Sequence, residues 1–268
     1  MIKYLNFSKF LILDINNIHM AKDEKPVLTY AIIILCFIVF LIELYYQYFY
    51  GEEFLNKIFY TYGFSYQSVL DKRFEVFITS IFLHGSPDHL ILNVLALFFF
   101  GRVVELELGK KKFLFIFFLS SIVGDFAVLF LTVIGLMSPL ISTIGVSASI
   151  FGLMGTAMLI KPFDLIFYPY LIPIPLILVA LIYTLYNIAE FLLVLTTATE
   201  SNISYISHIG GLICGMLFGF REEGSRKGFV VLLFLLLLLI TTPFLFTIFK
   251  FLEAFNYVNV LSSIFGAK

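Results

Sequence analysis

Four side chains in this sequence are of the types that nucleophilic acyl chemistry uses: Ser147, His208, His89 and Asn93. A serine hydroxyl attacks a carbonyl only where one group takes its proton and others receive the oxyanion that forms. Of the four histidines, His19 lies in a polar N-terminal flank, which leaves His84, His89 and His208 as neighbours for the serine. His208 is the candidate base. The Asn93 amide, a donor nitrogen of His89 and the backbone N–H groups that open the segment at Ser147 are the candidate oxyanion donors. Each feature alone is ordinary, because a lone serine or histidine near a helix end more often serves packing or a structural hydrogen bond. The chemistry therefore depends on whether the chain brings the four together.

The elements that must do so lie in a membrane. With 61% hydrophobic residues, 13% charged residues and 34 phenylalanines, the chain has too little polar surface for a water-facing shell. Apolar runs longer than the ~18 to 20 residues needed to cross a bilayer recur along most of the length, so an all-α membrane protein is expected. Residues 1–26 form a cytoplasmic flank without a removable leader, and residues 27–221 form a core of six spans. Within that core, residues 50–83 make an interfacial loop of short helices. Residues 222–268 hold a charged linker, a seventh span (Phe229 to Phe249) and a tail. The core spans are placed at about Val27–Tyr48, from Pro87 to about Phe100 or slightly beyond, from Phe113 to about Met137, from Ser147 to Lys161, at about Phe167–Leu195 and at Ile203–Phe220. The fifth is expected to bend near Pro169, Pro173 and Pro175. Cys36 and Cys214 both sit in apolar runs and are packing residues, and no cofactor or metal site is expected.

Helix-end chemistry and spacing bring the polar residues to one level. Ser86, Pro87 and Asp88 are an N-cap, a first-turn proline and a first-turn acid, which puts His89 in the first turn and Asn93 one turn deeper on the same face. With the N-terminus in the cytoplasm, 12 of the 17 Lys and Arg residues fall on the cytoplasmic side. The starts of the second, fourth and sixth spans, carrying His89, Ser147 and His208, then all lie near the outer face of what is expected to be the plasma membrane. Ser207, Gly211, Gly215 and Gly219 form a ladder of small residues, and Ala148, Gly152 and Thr156 form another. Two such ladders let helices approach closely, with Ser147 and His208 flanking the contact. His84 is expected to tie the loop to the start of the second span, and Arg102 with Glu105 to form a polar tie at its far end. Asp125, midway along the third span, lies too deep to orient His208.

Together these motifs resemble the rhomboid intramembrane serine proteases. The resemblance rests on Gly145-Val-Ser147, on Ser207-His208-Ile-Gly-Gly211-Leu-Ile-Cys-Gly215, on His84-x4-His89-x3-Asn93 and on Gly101-Arg102-Val-Val-Glu105. It implies a Ser147/His208 dyad without an acid, an oxyanion site of Asn93, His89 and the Ser147 backbone N–H, and Phe151 packed on the imidazole. Gly145, Gly211 and Gly215 are then helix-contact residues. It further implies a serine endopeptidase that cleaves transmembrane segments of other membrane proteins, admitted between the second and fifth spans. Ala148 stands where the family usually has glycine after the nucleophile. Glu75 and Val76 stand where it commonly has Trp-Arg ahead of the first histidine, and this chain has no tryptophan. The competing readings are an inactive rhomboid-like protein that binds transmembrane helices, and a transporter. A zinc protease would need a His-Glu-x-x-His motif, which is absent.

Overall fold

A computed structural model of the chain describes residues 25–168, 172–197 and 204–223. The expected cytoplasmic flank up to residue 24, the seventh span and the tail lie outside the described residues. In chain order the structure contains α1 (Val27–Tyr50), α2 (Glu52–Tyr62), α3 (Tyr66–Leu70) and α4 (Val76–Thr79), followed by a 3-10 turn at Ser80–Phe82. A rod follows, made of α5 (Pro87–Ala96), a π turn (Leu97–Gly101) and α6 (Arg102–Leu108). After it come α7 (Lys110–Val133), α8 (Ser147–Ile160), β1 (Leu165–Tyr168), β2 (Ile172–Pro175), α9 (Leu176–Thr197) and α10 (Tyr205–Glu223). Among the described residues, four stretches, Val27–Tyr50, Pro87–Leu108, Lys110–Val133 and Leu176–Leu193, are long and apolar enough to cross a membrane. The protein is an integral membrane protein, largely helical. α8 and α10 fall on the remaining two segments expected to span.

The centre is α8. Every residue from Ser147 to Leu159 is buried, so this helix has no face toward lipid. At 14 residues it extends only roughly 21 Å, and its neighbours rather than lipid satisfy its surroundings. α10 packs along it backbone to backbone. A methyl group added at Gly211 would collide with the Ala148 carbonyl, and one at Gly215 with the Gly152 carbonyl. The Thr156 hydroxyl donates to the Gly152 carbonyl on its own helix at 3.0 Å and lies 2.9 Å from the Gly215 carbonyl across the seam. The small-residue ladders therefore do face each other. α7 closes the other side: a methyl at Gly124 would stand 2.6 Å from the Ser207 carbonyl, and one at Gly152 would overlap the Ser120 side chain. The large buried side chains Leu97, Phe100, Phe113, Phe117, Met154 and Met158 fill the rest of the core.

α1 is fastened at both ends by buried carboxylates. It begins without a side-chain cap of its own. Glu105 instead accepts from the Leu28 and Thr29 N–H groups at 2.9 and 2.7 Å and from the Thr29 hydroxyl at 2.7 Å. That closes helix-end donors which would otherwise be orphaned. Glu105 thus makes the tie expected of it, whereas Arg102 is exposed. Near the other end of α1, Glu43 accepts from the His84 and Gly85 N–H groups at 3.1 and 3.0 Å.

Two expectations are corrected. The segment expected to open the fifth span at Phe167 is a two-stranded antiparallel hairpin, with Leu165 opposite Pro175 and Tyr168 opposite Ile172, so the described residues are not all-α. The helix starts only at Leu176. Pro173 and Pro175 carry no N–H and restrict the residue before each to extended geometry, which ends any helix on their N-terminal side rather than bending it. The second span, expected to end at about Phe100 or slightly beyond, continues through the π turn to Leu108.

Candidate active site

The loop that delivers Ser147 is held from both sides. Phe64 and Thr143 exchange N–H to carbonyl hydrogen bonds at 2.9 and 2.7 Å, and the Gly145 N–H donates to the Ser80 carbonyl at 2.9 Å. The interfacial loop thereby fixes the entry to α8. That loop is itself anchored by Arg73, whose guanidinium donates to the Tyr60 and Thr61 carbonyls at 2.9 and 2.8 Å and lies over the Tyr60 ring. Arg73 thus ties the loop in a chain that has Glu75 and Val76 at the expected Trp-Arg positions.

Gly145 lies in the loop before α8, where it is the close neighbour of α5. Its φ of 111° suits glycine, and an added methyl would stand 2.8 Å from His89 Cε1 and 3.6 Å from Asn93 Nδ2. The missing side chain is what lets His89 and Asn93 approach the start of α8.

Ser147 and His208 meet across the seam: Ser147 Oγ lies 2.6 Å from His208 Nε2. Both residues are buried. The Phe151 ring stacks on the imidazole with centroids 4.6 Å apart and planes within 7°. α8 has no side-chain cap, so its first-turn N–H groups beside Ser147 are not taken by a capping side chain. Asn93, 8% exposed, holds its Nδ2 buried without a hydrogen-bond partner among the described residues. An unpaired buried amide donor costs about 1 to 3 kcal/mol, so its presence beside a serine requires an explanation.

His89 is oriented from outside the site. Ser86 caps α5 by accepting from the His89 N–H, and His89 Nδ1 lies 2.6 Å from the His84 carbonyl. A carbonyl only accepts, so Nδ1 carries the proton, and Nε2, the nitrogen near Gly145, is a lone pair in the neutral ring. Nε2 donates only in the imidazolium. His84 makes the tie expected of it between loop and helix start. Burial, with a smaller contribution from neighbouring His89, pushes its imidazole down to about 4.

One contact was not foreseen. Asn187 of α9 places Oδ1 2.5 Å from His208 Nδ1, and its Nδ2 donates to the Tyr205 carbonyl at 3.0 Å. Asn187 is a single amide in an apolar run, and the only signal in the sequence was that such a group in a spanning helix needs a partner. Asp125 is buried as expected, with Oδ2 lacking a hydrogen-bond partner.

The comparisons with known proteins address the same region. The family model for the Rhomboid domain matches residues 71–222, more than half of the chain. The chain is 36% identical over 78 residues to Rhomboid-like protease 3 of Toxoplasma gondii, a match covering 29% of this chain and 27% of that protein. It is 32% identical over 146 residues to a Bacillus subtilis (strain 168) protein named "Putative rhomboid protease YdcA", covering 53% of this chain and 64% of that one. The chain thus spans less than two thirds of the length of either relative. The matched domain contains Ser147, His208, His89 and Asn93, and the chain belongs to the rhomboid family.

Proposed function

We propose that this protein is an intramembrane serine endopeptidase that hydrolyses a peptide bond in or beside a spanning helix of another membrane protein. The observation that carries the reading is the 2.6 Å contact between Ser147 Oγ and His208 Nε2, with the Asn93 amide, unpaired among the described residues, near Gly145 two residues before the serine. Ser147 attacks the substrate carbonyl as His208 Nε2 takes its proton. The oxyanion is received by Asn93 Nδ2 and the first-turn N–H groups of α8, and His89 adds to them only when its ring carries a second proton. His208 then protonates the leaving amine, and water releases the acyl group from Ser147. Phe151 holds the plane of the ring through both steps. Gly211 and Gly215 set the distance between α8 and α10 on which the dyad depends. The reaction needs no metal or cofactor. Peptide bonds inside a helix are shielded, so substrates unwind locally near the cut and carry small or helix-weakening residues there.

In this reading residues 27–221 are the catalytic core and residues 222–268 an appended seventh span. The N-terminus is cytoplasmic and the site opens to the outer face of the plasma membrane, with substrates entering beside α9. A tag at residue 1 that proves accessible from outside the cell would overturn this orientation.

The test is incubation of the purified protein with a single-span substrate, comparing wild type with Ser147→Ala and His208→Ala. Cleavage by wild type and loss of at least about a thousandfold in both variants is expected. Equal cleavage by all three would exclude the dyad. Wild-type protein that is folded but neither cleaves nor reacts with a serine-directed fluorophosphonate would point instead to an inactive protein that binds transmembrane helices.

A further inference from the structure

We infer that Asn187 is a positioning residue that fixes the tautomer and ring orientation of His208 through the carbonyl of Tyr205, an inference that rests on the serine protease reading for its function. The chain of logic starts at the backbone. The Tyr205 carbonyl can only accept, so the amide nitrogen of Asn187 must face it, at 3.0 Å. That leaves Oδ1 facing the imidazole, 2.5 Å from Nδ1. Oδ1 also only accepts, so Nδ1 carries the ring proton. A neutral imidazole has one N–H, and Nε2 is therefore a lone pair aimed at the Ser147 hydroxyl 2.6 Å away. Each group in the relay has one permitted role, and together they prepare the serine to donate and the histidine to accept.

Among the described residues, no other contact of the ring assigns its proton. The Phe151 ring, parallel within 7°, restrains the imidazole plane but is indifferent to a half-turn about the Cβ–Cγ bond, which would exchange Nδ1 with a carbon. Tyr205 meets the ring edge-on. Stacking holds the plane; the Ser147 hydroxyl meets Nε2 but can donate or accept, so Asn187 Oδ1, an acceptor only, is what assigns the ring proton to Nδ1. A carboxylate in this place would orient the ring equally well but would bring a charge to a site where His208 and Asn187 are 8% and 3% exposed. The amide gives the same acceptor without that desolvation cost. As the ring gains its second proton during attack, the Oδ1 dipole stabilises the imidazolium. The titratable groups around the ring are His89 on α5, Tyr205 on its own helix and Asp125 on α7, beside the Gly124 that abuts the Ser207 carbonyl.

The experiment is nitrogen NMR of the full chain in micelles with labelled histidine, the His208 signals among the four histidines being assigned with His208→Gln. Wild type is expected to show His208 with Nδ1 protonated and Nε2 bare, and Asn187→Leu a mixture of tautomers. In parallel kinetics, Asn187→Leu is expected to lower kcat by about 10- to 100-fold with KM within about twofold. Asn187→Asp, which keeps an acceptor, is expected to recover most of that loss and to raise the pH at which His208 titrates. An unchanged His208 tautomer in Asn187→Leu, or a loss residing entirely in KM, would overturn the inference. Should Asn187→Leu fail to fold, a His208 titration unmoved in Asn187→Asp would overturn it as well. The tautomer is measured without substrate, so a wild type that shows it and cleaves nothing would refute the protease reading and leave the positioning intact.

Discussion

Two of the helices that meet α10 at the candidate site do so by different physics. α8 meets it backbone to backbone, with Gly152 under Gly215 and Ala148 under Gly211, so that no side chain separates them. α9 meets it at Asn187, through a hydrogen bond to the Tyr205 carbonyl and another to His208, and turns Leu178, Ile182 and Tyr186 outward. The first contact is set by atomic volume and has no alternative arrangement. The second is set by two hydrogen bonds that other geometries could satisfy. Ser147 and His208 meet across the rigid seam, while the amide that contacts the imidazole from the other side is carried on the less enclosed helix. Distance is thus secured where no tolerance exists, and orientation where adjustment is cheap.

The largest effect that would break this contrast is expected from Gly215→Leu. Its side chain would have to displace the Gly152 backbone, costing more than about 4 kcal/mol, and the variant should fail to give a monodisperse folded species in detergent. A Gly215→Leu protein with wild-type melting behaviour would show the seam to be as adjustable as α9. The loop that fixes the entry to α8 can be placed on the same scale by pH. His84 is neutral when folded down to about 4, whereas an unfolded histidine takes its proton near 6.5. The unfolded state therefore binds more protons between these values, so the contribution is fully present above 6.5 and is lost as pH falls toward 4, on the order of 3 kcal/mol. Melting temperatures measured from pH 7.5 to 4.5 should fall more steeply for wild type than for His84→Asn.

Next in size is a split at the oxyanion side, where chemistry rather than packing should respond. Asn93→Ala is expected to lower kcat by about a hundredfold, and His89→Ala at neutral pH by less than about tenfold, because the nitrogen of neutral His89 near Gly145 has no proton to give. Equal losses would show that His89 donates in its neutral form. Smallest is Ile182→Ala on the exposed side of α9, expected to change stability by less than about 0.5 kcal/mol in detergent melts. A larger loss would show that α9 is held by more than its inner face.

What the sequence disclosed and what it withheld divide along the same line. Ser86-Pro87-Asp88 announced the start of α5 by local chemistry, and the ladder spacing announced that α8 and α10 would touch. Both are signals carried by residues close in the chain. Asn187 was missed because its partners lie 18 and 21 residues away on another helix, and the distance depends on how α9 lies against α10. Arg73 was missed because the loop was judged by the positions where Trp-Arg is expected, two and three residues further on. The paired strands Leu165–Tyr168 and Ile172–Pro175 read as part of a span on apolar content alone, while the missing N–H groups of Pro173 and Pro175 argue against a helix there. That signal was available locally and outweighs hydropathy there.

The cap on α1 also has a consequence in time. α1 leaves the ribosome some 76 residues before Glu105, the carboxylate that closes its first turn. Until α6 is synthesised and inserted beside it, the amides of Leu28 and Thr29 depend on water or lipid headgroups. The order of synthesis thus makes α1 a provisional element, completed only when the rod carrying His89 and Asn93 has taken its place. A chain interrupted before residue 105 would present its first span to the quality-control machinery with an open end.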